Sequence, residues 1–515
     1  MNGYLFRGGP IYPMDRPGAL DDGVLLTRGR SIAYVGPRAG LPDEARRAEV
    51  IELDGRALLP GLCDSHLHLV LAAVEHAALD CRGADPRSLE DFVRARAARA
   101  APGEWITGFG WERRLVFPGS EPGPALLDRA APRNPVFLVS KDAHSALLSS
   151  TGLQRLATLE QRPERCVVRA DQGLVLEEVF ELRRRLIPEP GPDEKRARLA
   201  PFIRALHACG ITAVHSNEPP DHLALARAQL EGAGGPRVRV LWNPAFDSPG
   251  ALRRGRALFA TRVPGWLRVG GAKLFLDGTL GSLSAALTEP YVGTTDRGML
   301  TLSPAELDDW LAAIHAVGTH AVIHVIGDRA AEVALDALAR IDWPAGTRHR
   351  LEHVQILPRR SLAPGSLAGV VLSVQPSHMW DDRGIAERHL APELQPLAYA
   401  LRSMLRGGGL LVFGSDAPVE GVDPWRGIAA AVTRLADQSS PPWVEEERLT
   451  LHEALAAHTA GPAALHGFAT GVLAPGRLAD LVVLGDDPFA RDPSDLARGV
   501  PAEMTFVDGE VVFRR

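Results

Sequence analysis

Two histidines one residue apart, His66 and His68, end an apolar run that opens at Leu59-Pro60-Gly61-Leu62. In an extended strand, side chains two apart point the same way, so both imidazoles can reach one metal ion. The spacing alone says little, because 17 His among 515 residues yield about half an H-x-H by chance. Its weight comes from other polar residues that interrupt or end apolar runs: Lys273 between Val269 and Gly278, His324 between Ala321 and Asp328, His353 between Arg350 and Val354, and Asp416 between Leu411 and Pro418. Four neutral imidazoles and an ionised carboxylate are the donors that zinc or a similar borderline divalent ion takes. One ion would use His66, His68 and Asp416. A second would use His324 and His353, bridged to the first by a carboxylated Lys273 and a hydroxide. An unpaired ammonium at Lys273 would be costly to bury, so the residue requires modification, pairing with Asp277 or direct contact with substrate. The bland alternatives are core histidines satisfied by backbone groups and an Asp416 that caps the turn after Gly414.

The elements that must position these residues follow from periodicity. From Gly210 onward, short β-rich runs alternate with helical patterns. Strands are predicted at Gly210 to His215, Arg237 to Trp242, Gly270 to Leu276, His320 to Ile326, Arg350 to Gln355, Gly369 to Gln375 and Gly409 to Gly414. The run ending near His66 makes eight, the number of a (β/α)8 TIM-type barrel, whose catalytic groups sit at the carboxyl ends of its strands. Ser303-Pro304-Ala305-Glu306 and Thr450-Leu451-His452-Glu453 each read as a capping box, and the first helix is expected to stop near Gly318. The stretch between His68 and Gly210 is far longer than one connection needs. It is expected to hold an inserted α+β subdomain, residues 75–204, that caps the barrel mouth. Residues 1–58 and 470–515 carry short alternating strands expected to pair as one composite β-sandwich, which leaves 59–74 plus 205–469 for the barrel.

Composition restricts the partners. The chain has 57 basic and 63 acidic residues, a net charge of −6 and no basic block, so the expected partner is a small molecule and not nucleic acid. Four dispersed cysteines, Cys63, Cys81, Cys166 and Cys209, argue against a disulfide framework or a Cys-based zinc site and fit a reducing cytoplasm. The first residues lack the apolar core of a signal peptide, and no run reaches membrane-spanning length, so no membrane association is expected.

The motifs from Pro60-Gly61 to His68, Lys273 to Ser282, His324 to Arg329, Glu352-His353, Val374 to His378, Gly414 to Glu420 and Gly476 to Leu481 resemble the amidohydrolase superfamily. Within it they are similar to the amidohydrolase 3 group, which includes YtcJ-like proteins and N-substituted formamide deformylases. The resemblance spans nearly the whole chain. It implies a metal-bearing barrel with a composite sandwich, one or two ions, most often zinc, and hydrolysis of an amide, formamide or carbamoyl-like C–N bond by a metal-bound hydroxide. An ester or lactone hydrolase with the same site, or a non-catalytic scaffold, are the competing expectations. Asp416 is expected to take the proton and pass it to the leaving amine. His353 and His378 join Asp416 as candidate catalytic groups, and His144, Trp111 and His215 are candidate substrate contacts, against the alternatives of a surface His144, a Trp111 in the core of the insert and a structural His215. Deaminases of the superfamily tend to carry Glu three residues after the strand-five His. Gly327 stands there, which argues against nucleobase deamination. A homodimer is expected from the resemblance alone.

Overall fold

Eight apolar runs become parallel strands in chain order: β1 Leu62–Leu67, β2 Ile211–Glu218, β3 Arg239–Pro244, β4 Ala272–Phe275, β5 Ala321–Val325, β6 Arg350–His353, β7 Val371–Val374 and β8 Leu410–Phe413. In this computed structural model, which describes all residues except 1–2, 120–122, 141–144, 164–165, 177–178, 233 and 436–439, β1, β2 and β3 pair in one sheet and β4 to β8 in a second. Parallel bridges Ala245–Lys273 and Leu67–Ala417 link the two sheets at both ends. Almost every residue of these strands is buried, as expected where a parallel sheet is covered on both faces.

β2 runs to Glu218, three residues beyond the His215 at which the sequence reading stopped. Those polar residues are tolerated because they are paired: Ser216 Oγ accepts Leu69 N–H, and the Glu218 carboxylate accepts Val70 and Leu71 N–H. β4 is shorter than expected because Gly270 and Gly271 break the run, with Leu267–Val269 pairing to β3 and Ala272–Phe275 to β5. A Cβ on Gly270 would lie 2.5 Å from Asn243 Oδ1, so the close approach requires glycine. Helix Pro304–Val317 opens with a capping box from Ser303 and Glu306 and ends at Gly318 in the left-handed region, which sets the phase of β5.

The chain ends contribute two four-stranded sheets. One orders Ser31–Pro37, Gly23–Arg28, Tyr4–Arg7 and Glu49–Glu52; the other orders Glu510–Arg514, Ala502–Val507, Leu481–Leu484 and Leu58–Pro60. Phe6, Leu25, Ile32, Leu58, Leu481 and Phe506 share one apolar core. Arg239 of β3 is fully buried and anchors this region by a bidentate pair with Asp480, at 2.6 and 2.7 Å, and a 2.6 Å bond to Asp508.

All of this lies in one compact unit, Met1–Ala72 with Leu199–Arg515; the second unit is Ala73–Arg198, against the expected 75–204. The second unit holds a six-stranded mixed sheet whose Val136–Ser140 strand buries Leu138 in one cluster and Phe137 and Val139 in another. Trp111 belongs to its core: the residue is 1% exposed and its indole N–H donates to Leu138 O at 2.9 Å. This corrects the expectation of a substrate contact there. No helix among the described residues is long and apolar enough to cross a membrane.

Candidate metal centre

The carboxyl ends of β1, β5, β6 and β8 bring His66, His68, His324, His353 and Asp416 together. The His66 ring centroid lies 5.8 Å from that of His68 and 4.8 Å from that of His353, and His353 is 4.5 Å from His324. Asp416 Oδ1 lies 3.1 Å from His68 Nε2 and 3.4 Å from His66 Nε2. His66, His68 and Asp416 form a group whose ligand atoms all fall within 4.8 Å of one another.

Backbone conformation explains how neighbours on one strand reach the same place. Arg350 and Glu352 share a face of β6, with Nε donating to Oε1 at 2.8 Å, so an extended His353 would point the opposite way. Its φ of 72° ends the strand and turns the ring back to its partners. Val354 at 42° and Asp416 at 60° are also left-handed, a conformation that costs side-chain-bearing residues and gathers at functional sites.

Outer partners fix which nitrogen of each ring faces the centre. His68 Nδ1 meets Asn217 O at 2.7 Å and His324 Nε2 meets Gly278 O at 3.1 Å. A carbonyl only accepts, so both nitrogens carry hydrogen. His66 Nδ1 donates to Glu352 Oε2 at 2.5 Å, and His353 Nδ1 to Gln375 Oε1 at 2.8 Å. The neutral rings therefore present lone pairs at Nε2 of His66, His68 and His353 and at Nδ1 of His324. A lone pair of His68 facing a carboxylate oxygen at 3.1 Å is repulsive unless a proton or a cation lies there. Two ligands of a tetrahedral zinc, bonded at 2.0–2.1 Å, stand about 3.3 Å apart, so these separations suit an ion. The donor set fits a divalent metal.

The charges agree. Burial lowers His66, pushes His324 down to about 3 and holds His353 well below its usual value, so these rings stay neutral donors. Burial opposes the charge of His68, but the hydrogen bond and charge of Asp416 outweigh it and raise that ring. Burial would likewise raise Asp416, yet the His66 ring and the His68 hydrogen bond keep it well below the carboxylate range.

Lys273 is 1% exposed and its Nζ has no hydrogen-bond partner among the described residues; burial pulls it down to about 8. The Phe275 ring lies 5.0 Å away. Asp277, the partner considered from sequence, instead accepts Ala286, Ile326 and Gly327 N–H at 2.8 to 3.0 Å. That pairing is excluded.

His215 is a correction. It is fully buried, and its Nδ1 accepts from Arg350 Nη1 at 2.8 Å, which makes it an interior strut and not a substrate contact. With Cys63 and His466 it forms a second group of potential ligands. Both rings use the Nδ1 lone pair as an acceptor, from Arg350 and from Phe468 N–H, so each neutral ring has only an N–H at Nε2. Burial also pushes the Cys63 thiol well up. This group does not fit a metal. His378 lies on the short turn Pro376–His378 after β7, and its buried Nε2 has no hydrogen-bond partner among the described residues. His144 lies outside the described residues.

Five positioning groups were not singled out from sequence: Glu352, Arg350, Gln375 and the carbonyls of Asn217 and Gly278. Glu352 and Arg350 carried a signal, since charged residues two apart in a buried strand must pair. A backbone carbonyl carries none.

Among proteins of known sequence, the chain is 30% identical over 549 residues to Protein LONG AFTER FAR-RED 3 of Arabidopsis thaliana, covering 99% of this chain and 91% of that one. It is 26% identical over 550 residues to the N-substituted formamide deformylase of Arthrobacter pascens, covering 98% and 97%. A crystal structure of an uncharacterized metal-dependent hydrolase from Pyrococcus horikoshii superposes with a TM-score of 0.74 at 26% identity, over 95% of this chain and 99% of the other. The model of the amidohydrolase family matches residues 49–513. The strand ends that carry His66, His68, His324, His353 and Asp416 all fall within that match, and the chain belongs to the amidohydrolase family.

Proposed function

We propose that the protein is a metal-dependent hydrolase that cleaves a C–N bond of a small amide, formamide or carbamoyl-like molecule. One observation carries the reading: four imidazoles, each tied by its N–H to an outer acceptor, aim their lone pairs inward beside a buried carboxylate. The deformylase relative supports the C–N chemistry. The eight strands close into a (β/α)8 barrel through the bridges at Leu67–Ala417 and Ala245–Lys273, with the terminal sheets as its sandwich.

His66, His68 and Asp416 would hold one ion, and His324 and His353 a second, with zinc the ion that such donors prefer. When bound, such an ion acidifies water and polarises a carbonyl oxygen. As a carbamate, Lys273 would offer a carboxylate to this centre, which would remove the cost of an unpartnered buried ammonium. Asp416 Oδ1 faces the two imidazoles, leaving Oδ2 to take a proton from the attacking water and return it to the leaving amine. His378, with a free Nε2, orients the substrate.

The test is a screen of N-formyl and N-acyl amines beside their ester isosteres, with wild type, His66→Ala and Asp416→Asn. Hydrolysis of an amide, lost in both variants, is expected. Activity unaffected by both substitutions, or esters favoured beyond their intrinsic reactivity, refutes the assignment.

A further inference from the structure

The two halves of the centre are not backed alike. In the first half, His66 donates to the carboxylate of Glu352 and stands beside the anionic Asp416. In the second, His324 and His353 donate to a backbone carbonyl and a side-chain amide, both neutral. An imidazole whose N–H faces a carboxylate is a more basic ligand than one facing an amide oxygen, and such outer partners change metal affinity by about 10–100-fold. The second half also depends on Lys273, an amine that offers no carboxylate until it is modified.

Glu352 is held in place by more than its neighbour on the strand. It is fully buried, and the buried guanidinium of Arg350 is committed on all sides: Nε to Glu352 Oε1 at 2.8 Å, Nη1 to His215 Nδ1 at 2.8 Å, and Nη2 to Ser65 O at 2.8 Å and Ser373 Oγ at 3.1 Å. This one group ties β1, β2, β6 and β7 and fixes the carboxylate that orients His66. It also neutralises Glu352, so the first half meets an incoming cation with Asp416 Oδ1 at 3.1 and 3.4 Å from its two rings, whereas the carboxylate behind the second half, Asp277, stands 3.8 Å from His324 Nε2 and is taken up by three backbone N–H groups.

We propose that Glu352, clamped by Arg350, is the positioning residue that makes the His66–His68–Asp416 half of the centre fill first, the His324–His353 half following with lower affinity. The inference rests on the metal reading above. Its test is titration of the chelator-stripped full-length protein with Zn2+ against a chromophoric chelator, alongside thermal unfolding of the metal-free forms. The tight equivalent should vanish in His68→Ala and survive in His353→Ala. In Glu352→Gln it should loosen by about 10–100-fold. Because Glu352→Gln leaves a buried guanidinium unpaired, the double variant Arg350→Met with Glu352→Gln removes both charges together and is expected to loosen the same equivalent. Equal affinities for the two equivalents, the reverse loading order, or Glu352 variants that lower only the metal-free unfolding temperature overturn the inference and leave the metal reading standing. A wild type that takes up no ion overturns both.

Discussion

Gly327 follows β5 by two residues and supports the loop that sets His324. Its φ is ordinary, so its need for glycine is one of space: a Cβ would lie 1.9 Å from Ala286 O and 2.5 Å from Ala286 C. Both are backbone atoms and cannot rotate away. An ordinary contact is about 3.4 Å, so Gly327→Ala must part the two segments by about 1.5 Å. That movement pulls Gly327 N–H from Asp277 Oδ2, now 2.8 Å, and Arg329 N–H from Ala286 O, now 3.1 Å. The strained segment is continuous with Gly278, whose carbonyl holds His324. Overpacking of this kind costs about 1–3 kcal/mol. The stiffer unfolded chain returns about 0.4–1 kcal/mol, so a net loss of about 1–2 kcal/mol is expected. Misplacement of a ligand by an ångström costs about 100-fold in rate. Urea unfolding of the metal-free protein and kcat of the loaded enzyme on its best amide are the assays. Wild-type values for both, or a variant structure with Ala286 unmoved, would refute the steric argument. The same clash accounts for Gly327 where deaminases of the superfamily tend to carry Glu.

Other perturbations are equally specific. Asp480→Asn leaves the buried Arg239 with Asp508 as its remaining carboxylate and should cost about 3–5 kcal/mol, read by urea unfolding. Buried His207 and His458 are each pushed down to about 4 by desolvation, so the unfolded chain takes their protons first as pH falls below 6.5. Their stabilisation is complete above pH 6.5 and is lost between 6.5 and 4, by about 3 kcal/mol each, and His458→Gln should flatten that acid limb. Isotopically labelled bicarbonate should give wild type a carbamate carbon signal that is absent from Lys273→Met; identical spectra would remove the proposed modification. Gln375→Leu strips His353 of its acceptor and should cost about 1–3 kcal/mol of metal-free stability.

The candidate ligands stood out in sequence because each is a polar residue within or at the end of a buried apolar run. The parallel strands were legible because those runs recur between helical patterns with marked caps at Ser303 and Thr450. What was not legible depends on conformation or distance along the chain. Nothing local says that His353 takes a left-handed φ and so shares a face with Glu352. Asn217 reaches His68 through its backbone, across 149 positions, with no constraint on its side-chain type. His215 stands at the expected end of a strand, where a substrate contact and a structural residue read alike, but β2 continues past it and Arg350 uses its Nδ1 lone pair. Trp111 was misjudged for a related reason, as its indole N–H is satisfied by a carbonyl inside the core.

The most direct test of the account is metal analysis of the purified protein together with N-formyl amine hydrolysis before and after chelation. The account predicts at least one equivalent of a divalent ion in wild type, its loss in the His66→Ala, His68→Ala double variant, and activity abolished by chelation and restored by the ion. Hydrolysis that persists in metal-stripped protein, or a folded wild type that retains no divalent ion under any loading condition, would contradict it.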